Sequence, residues 1–374
     1  MAFLPLSSPA SDDTDAGCCG PGFADRLGIG RVGLLARAAW SRGHLACTAV
    51  VATVAGGGPG QAAPGYPPLR EGIAFQKLGD LDVHYAIGHS GVPDQANQGH
   101  TSNAGFVVTS EGVVVFDALG TPSLGWALLQ KIRSVTEQPI RFVVVSHYHA
   151  DHIYGLQAFR DHTDAVIVAQ DRAREYTAPG SSDDEVADLR LAQRRSALGP
   201  WVDAATRIVN PLLTFKQQSE ISLGGKRFVL LYAGPAHSTS DTMMLVQPDN
   251  VLFVGDIIQN GRLPFMASAA VDTANWLQAL DAIRDMQPRF LLPGHGELAA
   301  DAGGAIAFNR AYIAHVRDAM GRAVADWTGF EEAYKQTDWS RFRGMATFDA
   351  VNRGNAYRVY LELQNGLVAA PAKD

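Results

Sequence analysis

Apolar and polar positions along the chain predict two groups of strands, with helices between and after them. Successive side chains of a strand point to opposite faces, so apolar residues at every second position, or a short continuous apolar run, indicate a strand. Segments of this kind lie at residues 75–87, 106–116, 141–145, 165–169, 226–232, 242–246, 251–254 and 289–292. Within the second segment, Ser110-Glu111-Gly112 is typical of a hairpin turn.

Helical spacing of apolar residues separates these strands and dominates the end of the chain. In residues 122–135, for example, Leu124, Leu128 and Ile132 recur at the period that places them on one face of a helix. The other segments with a helical pattern are residues 153–160, 184–198, 273–286, 301–327 and 349–364. This arrangement predicts a layered α/β fold, with sheets in the middle and helices outside.

Composition and charge restrict the size of the core and the class of partner. With 374 residues, 47% of them hydrophobic, the chain can bury a large core. Its formal net charge of -7 provides no basic surface for nucleic acid, and no apolar segment has the length of a membrane-spanning helix. A small molecule is therefore the expected partner, and the pattern leaves the oligomeric state open.

Residues 1–66 are predicted to be a signal peptide or another leader outside the fold. Arginine residues precede a run of small apolar residues at 45–55, and Gln61-Ala62-Ala63-Pro64 then resembles a cleavage site. This favours export to a bacterial periplasm or secretion. The alternative is a Gly/Ala/Pro-rich leader on a cytoplasmic protein, and the true start codon stays open.

All three cysteines, Cys18, Cys19 and Cys47, lie in this leader. The folded part consequently has no disulfide, no thiolate for a zinc site and no cysteine nucleophile. Any metal ion in the folded part must be held by His, Asp or Glu side chains.

A group of metal-ligand residues directly follows the strand predicted at 141–145. Its pattern is H-x-H-x-D-H, so that three imidazoles and one carboxylate stand within the six positions from His147 to His152. Holding these groups together costs free energy unless a cation is bound, and they are usual ligands of zinc. His147 and His149 share a face while the backbone is extended, whereas the neighbours Asp151 and His152 require a turn. The pattern predicts a metal-binding loop at a strand end, in preference to a solvated histidine-rich loop.

Three further ligand residues recur in the same setting. His237, Asp256 and His295 each follow a predicted strand, with glycine close by in the sequence. Glycine lets the backbone approach a bound group closely, and ligands at strand ends stand on a rigid scaffold. With the four residues of the loop, these make seven donors. Seven are too many for one tetrahedral ion and suit two ions that share a bridge.

With this order of ligands, the chain resembles the metallo-β-lactamase-fold hydrolases, whose pattern is H-x-H-x-D-H followed by a distant His, Asp and His. The resemblance extends over residues 75–297 and implies a four-layer αβ/βα sandwich. It places the hydrolase domain at residues 67–300 and a C-terminal helical extension at residues 301–374. The leader and the ligand contexts are most similar to those of periplasmic zinc metallohydrolases of quinoprotein relay systems, with a glyoxalase-II-like metal site.

The resemblance also implies two zinc ions per chain, with iron or manganese as alternatives. One ion is assigned to His147, His149 and His237. The other ion is assigned to Asp151, His152 and His295. Asp256 bridges the two ions, and Asp117 supports the metal-binding loop from outside the ligand set.

A site of this kind implies a hydrolase. Two divalent ions lower the pKa of a shared water, so that a bridging hydroxide attacks a small ester, thioester, lactone or amide. Asp151 is expected to orient that water and take up a proton. Alternatives within the fold are a β-lactam-hydrolysing enzyme, which the Asp256 bridge disfavours, and a mononuclear iron enzyme that resembles the persulfide dioxygenases. A non-enzymatic metal-binding scaffold is disfavoured because structural zinc sites are usually rich in cysteine.

Overall fold

The computed structural model describes residues 65–178, 184–299 and 301–369. The predicted leader at residues 1–66 lies almost entirely outside these ranges, and so do the predictions of export and cleavage that depend on it. Within the described ranges, no helix combines the length and the apolar character needed to span a membrane.

The first sheet contains seven strands that lie side by side in chain order. They are β1 (Phe75–Lys77), β2 (Val83–Ala86), β3 (Ala104–Thr109), β4 (Gly112–Phe116), β5 (Ile140–Val144), β6 (Val166–Gln170) and β7 (Leu213–Phe215). Strands β1 to β4 pair antiparallel, and β4 to β7 pair parallel. Parallel neighbours need a crossover connection, and the intervening helices provide it.

The crossover helices of the first sheet lie between β4 and β7. They are α1 (Pro122–Val135), α2 (Ala150–Ile153), α3 (Leu156–His162), a 3-10 helix (Asp171–Thr177) and α4 (Asp184–Leu198). Helix α1 starts where the sequence supplies a cap, because the Thr121 side chain accepts a hydrogen bond from Leu124 N and Pro122 occupies the first turn.

The second sheet contains five strands in the order β12-β11-β10-β9-β8. Their bounds are β8 (Gln218–Leu223), β9 (Lys226–Tyr232), β10 (Thr242–Gln247), β11 (Val251–Gln259) and β12 (Phe290–His295). Only the β11–β12 pair of this sheet is parallel, and α5 (Thr273–Met286) connects these two strands. Three helices follow β12, namely α6 (Ala302–Ala325), α7 (Phe330–Gln336) and α8 (Phe348–Ala369).

Alternation along the strands explains why the two sheets stack with helices outside. On β4, Val113 and Val115 join the apolar cluster under α1, whereas Val114 points the other way, into the cluster between the sheets. On β9, Leu230 joins the same intersheet cluster and Leu231 packs against the helices of the other side. Four layers result, in the order helix, sheet, sheet, helix. The predicted α/β class with two central sheets is confirmed.

Helices α6 and α8 belong to the outer layer over the second sheet. Tyr312 and Val359 from these helices share one apolar cluster with Leu231 of β9 and with Trp276 of α5. The Trp276 indole is fully buried, and its Nε1–H donates to the carbonyl oxygen of Ile257 at 2.9 Å. Burying a large apolar side chain contributes about 1.5–3 kcal/mol, so this packing adds substantially to the stability of the second sheet.

Two elements at the site differ from the sequence prediction. The short helix predicted at 153–160 begins earlier, as α2 at Ala150, and is interrupted before α3 begins at Leu156. The strand predicted at 251–254 continues to Gln259 as β11, because Gly255 takes a φ of 53° and a register shift there lets the chain stay paired with β12. Asp151 therefore lies on a helix, and Asp256 lies within a strand.

Other differences lie away from the site. The strand predicted at 75–87 is a hairpin of β1 and β2, turned at Gly79, whose φ is 56°. Strands β7 and β8 and helix α7 are additional to the prediction, because their sequences lack a strong apolar period.

Candidate metal centre

The seven predicted ligand residues come from both sheets. The metal loop, which we define as residues 146–152, runs from the end of β5 into α2 and carries His147, His149, Asp151 and His152. The second sheet supplies His237 from the β9–β10 loop, Asp256 from β11 and His295 from the end of β12. The structure thus places six of them at strand ends or in the segments that follow, and Asp256 within β11.

Ligand atoms of these residues form three clusters in which all atoms lie within 4.8 Å of one another. The clusters are His147, His149 and His237; His147, His152 and Asp256; and Asp151, His152 and His295. Each cluster takes two members from the metal loop and one from the second sheet. The structure therefore brings all seven residues into one continuous group.

Asp256 lies at the centre of this group. Its Oδ1 is 3.2 Å from His152 Nε2. Its Oδ2 is 3.3 Å from His237 Nε2 and 3.2 Å from His295 Nε2. One carboxylate thus faces imidazoles of both proposed ligand sets, as a bridging ligand must.

The buried polar atoms of the group fit a cation. His147 Nε2 is buried without a hydrogen-bond partner, and the buried atoms His152 Nε2 and Asp256 Oδ1 lie 3.2 Å apart without a well-aligned hydrogen bond. Leaving such atoms unpaired costs about 1–3 kcal/mol each. Imidazole nitrogens and carboxylate oxygens are ordinary zinc ligands, so a metal ion bound among them would satisfy these atoms.

Hydrogen bonds hold four of the five imidazoles by Nδ1 and leave Nε2 directed into the group. The partners are Ser146 Oγ for His147 at 2.9 Å, Asp117 Oδ2 for His152 at 2.8 Å, the Phe265 carbonyl for His237 at 2.9 Å and the Thr101 carbonyl for His295 at 2.6 Å. The exception is His149, whose Nδ1 lies 2.9 Å from His237 Nε2. Fixing the second ring nitrogen sets the tautomer and the orientation that a metal-binding histidine needs.

The protonation states of the first cluster also suit metal binding. Burial lowers the pKa of His147 well below its ordinary value, and the neighbouring imidazoles His152 and His149 lower it further. Burial and then His237 lower the pKa of His149 in the same way. Both rings are therefore neutral near pH 7, with a lone pair available to a cation.

The pKa values of the two carboxylates are lowered as well, but here the shift favours the charged form. Burial alone raises the pKa of Asp256, but the nearby imidazoles, of which His295 has the largest effect, outweigh it and hold this pKa well below the ordinary value. Asp151 behaves likewise, because His152 and His295 outweigh the effect of burial. Both side chains are therefore ionised near neutral pH, as metal ligands and proton acceptors are.

Asp117 supports the metal loop from the end of β4. Its Oδ1 accepts a hydrogen bond from Ser146 N at 2.7 Å, and its Oδ2 accepts one from Ser146 Oγ at 2.7 Å. The same Oδ2 lies 2.8 Å from His152 Nδ1. Asp117 takes a φ of 62° and is almost fully buried. One carboxylate thus fixes the start of the loop and the orientation of one proposed ligand.

Replacing Asp117 with asparagine is expected to weaken metal binding. Asparagine keeps the volume but replaces one acceptor oxygen with an NH2 donor. A hydrogen-bond donor of Ser146 or His152 would then face another donor. We expect the affinity for zinc to fall about 10- to 100-fold, as for other residues that orient metal ligands. Competition with a chromophoric chelator measures this affinity. The exposed Asp164, replaced in the same way, is the control, and equal affinities of both variants would contradict the role of Asp117.

Two supporting residues were not found by sequence reasoning. Asn103, just before β3, donates from Nδ2 to the carbonyls of Pro293 and Gly296 at 2.9 and 2.8 Å, and so ties the segment that carries His295 to the first sheet. Buried Asp241 accepts hydrogen bonds from Ala236 N, Ser238 N and Ser238 Oγ, on both sides of His237. Isolated Asn and Asp residues give no sequence signal for such long-range contacts.

A cavity of about 300 Å³ opens beside the group. His149, Asp151, His237, Asp256 and His295 reach its wall. Helix α4 forms one side and the start of α8 contributes Ala350 and Val351 to another. The proposed ligands therefore meet a space that is large enough for a small organic substrate.

Comparison with known proteins identifies one family over the part of the chain that carries the seven proposed ligands. The family model of the metallo-beta-lactamase superfamily matches residues 98–295, which is more than half of the 374-residue chain. A linear primary-alkylsulfatase from Pseudomonas sp. (strain ATCC 19151) is 24% identical over 212 residues, which are 50% of this chain and 40% of that protein. A protein of Streptococcus pyogenes serotype M6, named "Probable metallo-hydrolase", is 27% identical over 196 residues, which are 52% of this chain and 75% of that protein.

A solved structure has the same fold at low sequence identity. The stereoselective inverting sec-alkylsulfatase from Pseudomonas sp. superposes with a TM-score of 0.62 and 16% identity, over 80% of this chain and 52% of that one. At this identity the likeness shows the fold alone. This chain matches about half or less of the length of both alkylsulfatases, so their activities belong to larger proteins.

Proposed function

Because the chain belongs to the metallo-β-lactamase superfamily, we propose that it is a dinuclear zinc hydrolase of a small ester, thioester, lactone or amide. The observation that supports this most strongly is the position of Asp256, whose carboxylate lies 3.2–3.3 Å from His152, His237 and His295. A carboxylate that touches both proposed ligand sets suits two ions better than one.

The ligand sets follow the three observed clusters. We assign one ion to His147, His149 and His237 and the other to Asp151, His152 and His295, with Asp256 as the bridge. When bound, two such ions supply an activated water and polarise the bond to be cleaved. The protein contributes rigid placement, because hydrogen bonds at Nδ1 fix four of the five rings.

Asp151 is the residue we assign to proton transfer. It is one of the ligand residues that reach the wall of the cavity, and it is only partly buried. Its Oδ2 lies 3.4 Å from both His295 Nε2 and Thr101 Oγ1, so the carboxylate is held in a defined position. The lowered pKa keeps it ionised, which lets it orient a water molecule and accept a proton from it.

Hydrolysis of a sulfate ester is the second candidate. One relative supports it, since a linear primary-alkylsulfatase aligns with half of this chain. A sulfate ester would present an anion to the same cavity. The carbonyl substrates and the sulfate esters are therefore compared directly in the experiment that follows.

Purified protein is expected to contain about two zinc ions per chain and to hydrolyse at least one member of a substrate panel. The panel comprises carboxylic esters, thioesters, lactones, β-lactams and alkyl sulfates. Metal content is measured by mass spectrometry of the digested protein, before and after treatment with a chelator. Chelation should abolish turnover and added zinc should restore it. One iron per chain with consumption of oxygen, or turnover that survives loss of metal, would contradict the proposal.

A further inference from the structure

Three arginines line the cavity beside the proposed metal centre. Arg190 and Arg194 come from α4, and Arg262 follows the end of β11. Of the described residues that line this cavity, only Asp151 and Asp256 carry a negative charge, and both are proposed metal ligands. A molecule that enters the cavity therefore meets positive charge that no other lining residue neutralises.

Arg262 is the most unusual of the three, because it is 5% exposed and nearly without partners. Its Nη1 lies 3.4 Å from the carbonyl oxygen of Gly91, and its Nε has no hydrogen-bond partner. Arg262 Nη1 also lies 3.4 Å from His295 Nδ1. This contact is not a hydrogen bond, because His295 Nδ1 already donates to the Thr101 carbonyl and both atoms are donors. A buried guanidinium with so few acceptors is costly unless an anion binds there.

Arg190 and Arg194 stand one helical turn apart on α4, so their side chains share a face. Arg190 and Arg194 line the same cavity as the proposed ligands His149 and Asp151. Both are half-buried, and neither forms an ion pair within the ranges that the structure describes. The two guanidiniums therefore flank the ligand residues that are open to the cavity.

Several other arginines of the described residues have structural partners. Arg195, the next residue on α4, donates to the carbonyls of Asp203 and Thr206 at 2.7 and 3.0 Å, away from the cavity. On the C-terminal helices, Arg310 pairs with Asp281 and Arg317 pairs with Glu362. The contrast separates the three cavity arginines from those that hold the fold together.

We propose that Arg190, Arg194 and Arg262 form an anion-binding subsite, and that the substrate is an ester bearing a negatively charged carboxylate or sulfate group. This inference rests on the proposed hydrolytic function and restricts its substrate class. Guanidinium groups match the oxygen atoms of carboxylate and sulfate through paired hydrogen bonds. Bound there, the anion offsets the buried charge of Arg262 and positions the ester beside the metal centre.

The kinetic test compares a neutral carboxylic ester with a carboxylic ester that bears a carboxylate and with a sulfate ester. Zinc-loaded enzyme is assayed with 4-nitrophenyl acetate, mono-4-nitrophenyl succinate and 4-nitrophenyl sulfate. In Arg262→Gln and Arg194→Gln, kcat/KM for an anionic ester should fall about 10- to 100-fold, as expected for loss of a charge-assisted hydrogen bond. Turnover of the neutral acetate should fall by a much smaller factor than turnover of the anionic ester. Arg262→Lys, which keeps the charge, should recover part of the loss.

Arg227→Gln is the matched control, because Arg227 is an exposed arginine of β9 that pairs with Glu220. It removes the same charge far from any proposed ligand and should leave all three rates unchanged. Metal content and thermal unfolding of each variant show whether it is folded. Arg194→Gln keeps the test decisive if the buried Arg262 variant does not fold, since Arg194 is only half-buried.

An equilibrium test separates this inference from the proposed function. Succinate and inorganic sulfate are titrated calorimetrically into zinc-loaded wild type and variants, which requires no turnover. We expect at least one anion to bind, with about tenfold lower affinity in each arginine variant. The anion whose affinity falls more shows whether the charged group of the substrate is a carboxylate or a sulfate. Unchanged affinity for both anions in folded variants with full metal content would overturn the subsite, whether or not any ester is hydrolysed.

Discussion

Alanine at position 149 is expected to remove bound metal and hydrolytic activity together. The Nδ1 atom of His149 lies 2.9 Å from His237 Nε2 and belongs to the cluster that also contains His147. Without it, the ion assigned to this cluster would keep His147 and His237 and would otherwise depend on Asp256, which it shares with the other ion. We expect kcat/KM to fall on the order of a thousandfold, and metal content to decrease by about one ion per chain.

The measurements are metal analysis of the dialysed protein and initial rates at saturating zinc. His162 provides the control, since it lies at the end of α3 and contacts the rings of Tyr66 and Trp126. His162→Ala should keep both metal and activity. If His149→Ala were depleted of metal and still fully active, the metal-dependent mechanism would have to be abandoned.

Replacing Gly155 with alanine is expected to destabilise the first sheet and the helices that pack on it. Gly155 separates α2 from α3, and a Cβ there would lie 1.8 Å from the carbonyl oxygen of Ala118 and 2.9 Å from the Cα of Gly125. These are backbone atoms of the β4–α1 segment, which cannot move as the end of a side chain can. We expect the free energy of unfolding to decrease by about 3 kcal/mol or more.

Urea denaturation followed by circular dichroism measures this change. Gly366→Ala is the control, because Gly366 lies exposed on α8 and a Cβ there would meet nothing within 4 Å. That variant should be as stable as wild type or slightly more stable, since alanine favours a helix. Because α2 carries His152, Gly155→Ala should also weaken metal binding. A variant as stable as wild type would show that the contact with Ala118 relaxes without cost.

The fold was largely predictable because most strands have a strong apolar period. Strand β9 was predicted with its observed bounds, and its alternation between the two clusters follows from period two. Strand β8 was not predicted, because its residues alternate between exposed and half-buried positions at the edge of the sheet. The end of β11 was also missed, since Gly255 and Asp256 are typical of a turn until the partner strand β12 is known.

The ligand residues were easier to predict than their surroundings. Four of them stand together in the metal loop, and His237, Asp256 and His295 each follow a predicted strand with glycine close by, so residue type and position carried the signal. That the structure brings them within one group is an observation, and their binding of zinc remains a proposal. The cavity arginines gave no such signal, because arginines on a charged helix such as α4 are usually solvated. Only the tertiary structure shows that Arg262 is buried without an acidic partner among the described residues.

The division of each cluster between the two sheets has a consequence for assembly. Every cluster takes two donors from the metal loop and one from the second sheet, so a chain cut between β7 and β8 would leave all three clusters incomplete in either fragment. Metal ions would then bind tightly only where the fragments associate, and mass action would add their binding free energy to that association. If the proposed centre binds its ions, these ions would hold the two fragments together, and a chelator would separate them.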